Sequence, residues 1–251
     1  MKRVYFSLAT GPYVPMFEML KNSLRKFDKT TDLILFGEQD IRQSKDDLIL
    51  YRAAPYFAKK LFEQGYTEVC KLDADQLILG NLDHIWEGDY DVAVVNNANP
   101  REFKTYPVTV LDIHPLSYVN AGFVVMRSEQ FIDHWLKLCL SPHFNSYQMK
   151  EQDLLNILVS YCNEAVGGPY KVKFLDNSDK WHGLISRQYE PTAKLIDGKV
   201  ILEKNSEWPP DSPKQLVAWT TAGGHNNPNK LKYKLFFNEE VTKFIDGLIK
   251  P

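Results

Sequence analysis

The chain has 251 residues, 44% of them hydrophobic, and a formal net charge of −2 at pH 7. That much apolar material can bury a sizeable core, and a nearly balanced charge gives no electrostatic footprint for nucleic acid or for an anionic membrane surface. No linker, repeat or low-complexity tract divides the sequence. We therefore predict a single domain over residues 1–251.

The N-terminal segment and the cysteines indicate the cellular compartment of the protein. The first apolar run, residues 4–9, is shorter than the core of a signal peptide, and no segment approaches the roughly 20 apolar residues of a membrane span. The cysteines are odd in number and form no C-x-x-C motif, which argues against a disulfide framework or a zinc site. We expect a cytoplasmic protein with no transmembrane segment.

The first elements predict a parallel α/β sheet. Residues 4–9 have the composition of a strand, apolar residues recur at helical spacing over 16–27, and residues 31–37 form the next strand pattern. In such sheets ligands bind beyond the carboxyl ends of the strands, where Thr10 and Tyr13 would lie. The Tyr13 ring could stack on a base, and an ordinary surface tyrosine in a turn fits the sequence equally well.

The same patterns continue along the chain. Lys59 and Lys60 lie on a predicted helix, and one lysine of the pair could reach a phosphate, although solvated helix lysines are the commoner case. We predict helices over 53–64, 130–140, 151–158 and 239–249, a helical turn over 82–86, and strands over 90–95, 118–126, 170–175, 199–202 and 216–220.

A pair of acidic residues interrupts an apolar, strand-like stretch, residues 68–80. Asp73 and Asp75 are two residues apart, so on a strand their carboxylates would share one face with only Ala74 turned away. Carboxylate oxygens suit Mg²⁺ or Mn²⁺, which complete their shells with water and substrate phosphates. An inert acidic loop is the alternative, but ionised carboxylates at the end of a buried strand are costly unless something offsets them.

Two further segments have the composition of ligand-binding loops. Asn120-Ala121-Gly122 opens an apolar strand, where a small step permits close approach of a ligand and the amide can bind hydroxyls, although a plain turn before a core strand fits as well. Gly223 and Gly224 precede His225, and Lys230 follows. This loop could wrap a metal-bound diphosphate, whereas a lone loop histidine is more often solvated.

Glu151, Gln152 and Asp153 open the helix predicted over 151–158. Acidic residues in a first helical turn are favoured by the macrodipole. A catalytic role for them therefore needs more support than their charge.

In order along the chain, these motifs resemble those of the GT-A nucleotide-sugar glycosyltransferases, and most of all glycosyltransferase family 8, which includes glycogenin and the galactinol synthases. The resemblance implies an α/β fold of GT-A type, with a mainly parallel central sheet flanked by helices and a Rossmann-like nucleotide-binding half. It is carried by Thr10 and Tyr13, Lys59, Lys71-Leu72-Asp73-Ala74-Asp75, Asn120-Ala121-Gly122, and Glu151-Gln152-Asp153-Leu154-Leu155-Asn156.

The resemblance also implies a reaction: transfer of a sugar from a UDP-sugar to an acceptor hydroxyl on a carbohydrate or other molecule, with retention and with Mn²⁺ or Mg²⁺ as cofactor. The metal ligands would be Asp73, Asp75 and His225, and the residues nearest the anomeric centre Glu151, Gln152 and Asp153. The nucleotide-sugar contacts would be Thr10, Tyr13, Lys59, Ala74, Asn120, Ala121, Gly122, Gly223, Gly224 and Lys230, together with the acidic pair.

One segment departs from the family pattern. The family usually places a histidine three residues before a glycine near the C-terminus, followed by Lys-Pro-Trp. If Gly223 is that glycine, Thr220 holds the histidine position, and Lys230 is the nearest replacement for the missing lysine. Either His225 then supplies the third metal ligand from the other side of the glycines, or the metal has only two protein ligands.

Two other functions fit part of the sequence. A sugar nucleotidyltransferase would need a basic, glycine-rich loop after the first strand, and residues 9–13 have one glycine and no Lys or Arg. A non-catalytic nucleotide- or carbohydrate-binding module would explain the altered C-terminal segment as a lost activity.

Overall fold

A computed structural model describes residues 1–43, 52–96, 117–147, 149–184, 193–203, 213–220 and 232–251. The chain divides into two compact units. The first comprises Met1–Thr10, Thr31–Asp73 and Ile85–Phe174, and the second comprises Gly11–Thr30, Ala74–His84 and Leu175–Pro251. A single-domain organisation stays a prediction.

The described residues contain the following elements. The helices are α1 (Val14–Phe27), α2 (Glu38–Gln43), α3 (Ala53–Glu63), α4 (Glu129–Cys139), α5 (Glu151–Tyr161) and α6 (Glu239–Leu248). The strands are β1 (Arg3–Leu8), β2 (Asp32–Phe36), β3 (Glu68–Leu72), β4 (Gln76–Ile78), β5 (Val92–Asn96), β6 (Val119–Met126), β7 (Val172–Phe174), β8 (Lys180–Leu184), β9 (Ala193–Ile196), β10 (Lys199–Leu202) and β11 (Lys214–Thr220).

The first unit is built on a six-stranded mixed sheet in the order β2-β1-β3-β6-β5-β7. The β1–β2, β1–β3 and β5–β7 pairings are parallel, and β6 runs antiparallel to both of its neighbours. Alternate strand residues such as Val4 and Phe6 bury one face of the sheet in a core shared with α3, α4 and α5. The predicted mainly parallel sheet flanked by helices is confirmed.

The second unit contains a sheet in the order β4-β11-β10-β9, with β8 pairing parallel to β11. β9 and β10 form a hairpin whose turn residues, Asp197 and Gly198, both have positive φ, as the Asp-Gly turn signal indicates. The side chain of Trp219 on β11 packs against Phe236 and Phe237. Apolar contacts of this kind give the second unit its own core.

The acidic pair does not lie on one strand, so the argument that placed both carboxylates on one strand face is wrong. β3 ends at Leu72 and β4 begins at Gln76, and the two strands belong to different sheets. Asp73 to Asp75 form the connection between them. Helix α2 and strands β8 and β9 were also absent from the sequence-based prediction.

Candidate active site

Asp73 lies directly beyond the carboxyl end of β3. The antiparallel register of β3 and β6 pairs Leu72 with Phe123, and the Asp73 N–H donates a hydrogen bond to the Gly122 carbonyl at 2.8 Å. The strand pairing therefore brings the first carboxylate of the acidic pair to the Asn120-Ala121-Gly122 segment. Asp75 lies two residues further along the chain, in the second unit, and is half-buried.

Lys71 is a buried ammonium at this strand end. Its side chain is only 5% exposed, and its Nζ donates to Asp73 Oδ1 at 2.5 Å and to the Ala121 carbonyl at 2.7 Å. A buried ammonium needs both a counter-charge and hydrogen-bond acceptors, and these two partners supply them. Lys71 thus offsets part of the carboxylate charge that the sequence argument assigned wholly to a metal ion.

Gly122 allows side-chain oxygens to approach the backbone closely. A Cβ at this position would lie 2.4 Å from Asp73 Oδ2 and 2.6 Å from Asn120 Oδ1, closer than any real contact. Asn120 Oδ1 also accepts the Gly122 N–H at 2.5 Å. A carboxylate oxygen and an amide oxygen therefore converge on the space above Gly122, and any side chain at this position would have to displace them.

Helix α5 is fixed to the start of β6 by side chains. β3 ends before it could pair with residues 119–121, so the backbone groups of β6 on that side need other partners. Gln152 Oε1 accepts the Ala121 N–H at 3.1 Å. Asn156 accepts the Val119 N–H at 2.7 Å and donates to the Val119 carbonyl at 2.8 Å. These bonds set the position of the first turn of α5 against the Asn120-Ala121-Gly122 segment.

Both carboxylate oxygens of Asp153 accept hydrogen bonds from the protein. The Tyr118 hydroxyl donates to Oδ1 at 2.6 Å, and the Met149 N–H donates to Oδ2 at 2.9 Å. Burial, together with this carboxylate, raises the pKa of the Tyr118 phenol well above its usual value. Asp153 therefore holds Tyr118 and the segment that precedes α5.

Glu151 has a carboxyl group in an unusual environment. The residue as a whole is half-buried, but its Oε2 is shielded from solvent and has no hydrogen-bond partner among the described residues. Burial raises the pKa of Glu151 to about 8; the Lys71 ammonium opposes this rise, and the charges of Asp73 and Asp153 add to it. The carboxyl group is thus mostly protonated at pH 7 and can donate a hydrogen bond.

Thr10 follows β1, which runs parallel to β3 with Phe6 opposite Lys71, so Thr10 and Asp73 lie at the same edge of the sheet. Thr10 is half-buried, and Tyr13 is half-buried in the second unit. Lys59 Nζ is paired with Asp133 Oδ1 of α4 at 2.5 Å, so a phosphate would have to compete with that carboxylate. Gly223, Gly224, His225 and Lys230 lie outside the described residues.

The sequence analysis assigned no site role to Lys71, Tyr118 or Asn156, although Lys71 and Asn156 lie within the motifs that carry the family resemblance. Lys71 precedes Asp73 by two residues, a spacing that places side chains on the same side of a strand. Asn156 follows Gln152 by four residues, which places both on one face of a helix. These spacings were a usable signal for both residues, whereas the tertiary pairing of Tyr118 with Asp153 has no local signature.

The residues present fit a hard divalent cation. Asp73 and Asn120 bring a carboxylate oxygen and an amide oxygen toward one space, and oxygen atoms are the donors that Mg²⁺ and Mn²⁺ prefer. Within the described ranges, no three His, Cys, Asp or Glu side chains form a ready metal site. A cation would therefore need further ligands that are not His, Cys, Asp or Glu side chains of these ranges, such as phosphate oxygens and water.

No family model matches the sequence, and no curated protein matches it. Solved structures of glycosyltransferases do resemble the fold. A glycosyltransferase involved in the glycosylation of the major capsid of PBCV-1 has a TM-score of 0.57 at 10% identity, with 94% of this chain and 98% of that chain covered. The galactosyltransferase LgtC, in complex with donor and acceptor sugar analogs, has a TM-score of 0.53 at 14% identity, with 99% and 97% covered.

The bifunctional glycosyltransferase WbbM gives a TM-score of 0.53 at 15% identity, with 88% of this chain and 46% of that chain covered. The chain thus spans less than half of WbbM. At such identities the likeness establishes the fold, which is that of GT-A-like glycosyltransferases, and the predicted fold class is confirmed. Membership of glycosyltransferase family 8 stays a prediction. Among the helices of the described ranges, none has the length and apolarity to cross a membrane.

Proposed function

We propose that this chain is a metal-dependent glycosyltransferase that moves a sugar from a UDP-sugar to an acceptor hydroxyl with retention. The observation that carries the proposal is the convergence of Asp73 Oδ2 and Asn120 Oδ1 above Gly122, at the carboxyl end of β3 in a fold shared with glycosyltransferases. Ligands bind at strand carboxyl ends in open α/β sheets.

Asp73 and Asp75 would hold Mn²⁺ or Mg²⁺, with His225 as the proposed third protein ligand. When bound, the cation stabilises the negative charge that grows on the leaving diphosphate. Lys71 fixes Asp73 Oδ1 through its buried ammonium, which directs the other oxygen of that carboxylate toward the ligand. Lys230 and Lys59 are proposed as further positive charges, and Thr10 and Tyr13 as contacts of the nucleotide base.

The first turn of α5 and the start of β6 would bind the transferred sugar. The Asn120 side chain, beside the space above Gly122, can bind a sugar hydroxyl. Gln152 Oε1 accepts the Ala121 N–H, and the Gln152 amide nitrogen donates one N–H to the Tyr118 hydroxyl at 3.4 Å. The second N–H of that amide is therefore the group proposed to contact the sugar. Asp153, with both oxygens engaged by Tyr118 and Met149, is assigned a positioning role.

The protonation of Glu151 bears on how configuration is retained. A protonated carboxyl group is a poor nucleophile, and both oxygens of Asp153 already accept hydrogen bonds. These facts favour front-face attack over a covalent intermediate on either residue. In that route the acceptor oxygen bonds to the anomeric carbon, the bond to the diphosphate oxygen breaks, and the acceptor proton passes to the leaving phosphate.

Calorimetric titration of UDP with and without Mn²⁺ tests the proposal. We expect wild-type protein to bind UDP only with Mn²⁺, and the Asp73→Asn/Asp75→Asn protein to bind at least about tenfold more weakly, a loss of about 1.4 kcal/mol. Asp89→Asn is the matched control, because Asp89 is an exposed carboxylate paired with Lys171, a residue outside the proposed site. UDP binding that does not depend on Mn²⁺, or that is unchanged by the double substitution, would contradict the proposal.

A further inference from the structure

Gln76 and Thr220 form a buried polar pair in the second unit. β4 runs antiparallel to β11, and Thr220 lies directly opposite Gln76. Gln76 is 1% exposed and Thr220 is 6% exposed. Across the described parts of the chain, Gln76 Oε1, Gln76 Nε2 and Thr220 Oγ1 are all shielded from solvent and have no hydrogen-bond partner.

Among the described residues, these three polar atoms make no hydrogen bond that would stabilise the sheet. Residues directly opposite each other in an antiparallel pair extend to the same face, so the three polar atoms share one neighbourhood. The next residues of the two strands on that face, Ile78 and Ala218, are buried and apolar. Burying a polar group without a partner is costly, whereas an apolar side chain of the same shape is nearly neutral or stabilising. Valine and leucine would serve the folded state better at these positions.

The chemistry of the pair selects one class of ligand. It offers an amide N–H₂ that donates, an amide oxygen that accepts and a hydroxyl that does both, and it carries no formal charge. A cation would leave the amide N–H₂ unsatisfied, and an anion would leave the amide oxygen unsatisfied. A hydroxyl group can donate and accept, so it can satisfy both kinds of atom.

Gln76 is the direct sequence neighbour of Asp75, a residue of the proposed donor site. Both residues belong to the second unit. We infer that the Gln76–Thr220 pair is a recognition subsite for a hydroxyl of the nucleotide sugar, from either the ribose or the transferred sugar. This inference rests on the proposed function.

The test combines ligand binding with stability. Thr220→Val and Gln76→Leu remove the polar atoms at similar volume, and Thr242→Val is the matched control because its hydroxyl donates to the Phe237 carbonyl on the same unit. UDP-glucose and UDP are titrated calorimetrically with Mn²⁺, and ligand-free proteins are unfolded in urea. We expect the two site variants to bind UDP-glucose about tenfold more weakly while keeping or raising the urea midpoint.

The two titrations identify the source of the hydroxyl. Weaker binding of UDP-glucose alone assigns the pair to the transferred sugar, and equal weakening of UDP assigns it to the ribose. We expect Thr242→Val to bind both ligands as wild type does and to unfold at lower urea.

Several results would overturn the inference. If wild type binds UDP and the site variants bind both ligands within twofold of wild type, the inference fails and the proposed function stands. A lowered urea midpoint in the ligand-free site variants would show that the atoms are satisfied in solution, for example by a buried water, and would also overturn it. If wild type binds neither ligand, the inference and the proposed function fail together.

Discussion

The protonated state of Glu151 makes a prediction about stability. Its pKa rises from 4.5 in the unfolded chain to about 8 in the folded protein, chiefly because burial disfavours the charged form. Between those values the folded state binds more protons than the unfolded state, so the free energy of unfolding should fall with rising pH by up to about 1.4 kcal/mol per pH unit. The contribution is fully present below pH 4.5 and is lost as pH approaches 8.

Urea unfolding of wild type and Glu151→Gln between pH 5 and 9 measures this contribution. Because glutamine does not titrate, we expect the stability of the variant relative to wild type to rise steadily over that range and to level off near pH 8. Glu129→Gln is the control, since Glu129 also opens a helix but is exposed. If the free energy of unfolding changes with pH in the same way for wild type and Glu151→Gln, the Glu151 carboxyl group is solvated or hydrogen-bonded in solution.

At the scale of elements, the contact between α5 and β6 determines the shape of the site. Asn156 satisfies both backbone groups of Val119 and is fully buried. Asn156→Leu would leave a buried N–H and a buried carbonyl without their partners, at about 1–3 kcal/mol for each group. We expect a loss of about 3 kcal/mol in the free energy of unfolding, measured in urea.

The exposed residue Asn145 provides the comparison for this substitution. Asn145→Leu should change the unfolding free energy by no more than about 0.5 kcal/mol, as is usual for surface positions. If Asn156→Leu also falls within that limit, the side-chain bonds to Val119 do not hold α5 against β6. The geometry of the residues proposed to bind the sugar would then need another explanation.

The elements also show what could be predicted from the sequence. Apolar periodicity placed α1, α4 and α6 within a few residues of their observed bounds, because local spacing records which face is buried. The same reasoning failed at β3 and β4, where one strand-like stretch passes from one sheet to another. Which strand a segment pairs with depends on distant residues, so the spacing of the acidic pair carried no information about it.

Partners within the site were equally hard to predict. The sequence argument required an external cation to balance two carboxylates, but Lys71 from the same strand balances one of them. Asp153 resembled a catalytic acid in sequence, yet its hydrogen bonds to Tyr118 and Met149 engage both of its oxygens. Tertiary hydrogen bonds decide which polar residues remain available for chemistry, and they leave little trace in local sequence.

At the scale of the whole molecule, a shared fold does not establish turnover, since one fold can host both enzymes and binding modules. The net charge of −2 gives no general attraction for an anionic nucleotide. Under the proposed function, affinity for UDP-sugar would therefore come from local groups and the cation. A catalytic assay can separate a transferase from a module that only binds.

We expect wild type with Mn²⁺ and a UDP-hexose to release UDP slowly without an acceptor, because water can take the place of the acceptor hydroxyl. Asp75→Ala should reduce this release at least about 100-fold, the loss that follows when one group that stabilises transition-state charge is removed. Asp179→Ala is the control, since Asp179 is an exposed carboxylate of the same unit, paired with Lys180. UDP release is measured continuously with a coupled assay.

The possible outcomes of this assay correspond to different functions. Steady release that depends on Asp75 supports a transferase, and faster release on addition of one sugar from an acceptor panel would identify its acceptor class. Binding of UDP-hexose without any release, with or without acceptors, would indicate a non-catalytic module. Release of diphosphate from UTP and a sugar 1-phosphate would indicate a nucleotidyltransferase. Release that persists in Asp75→Ala would separate the activity from the acidic pair, and the site proposed at the end of β3 would then be wrong.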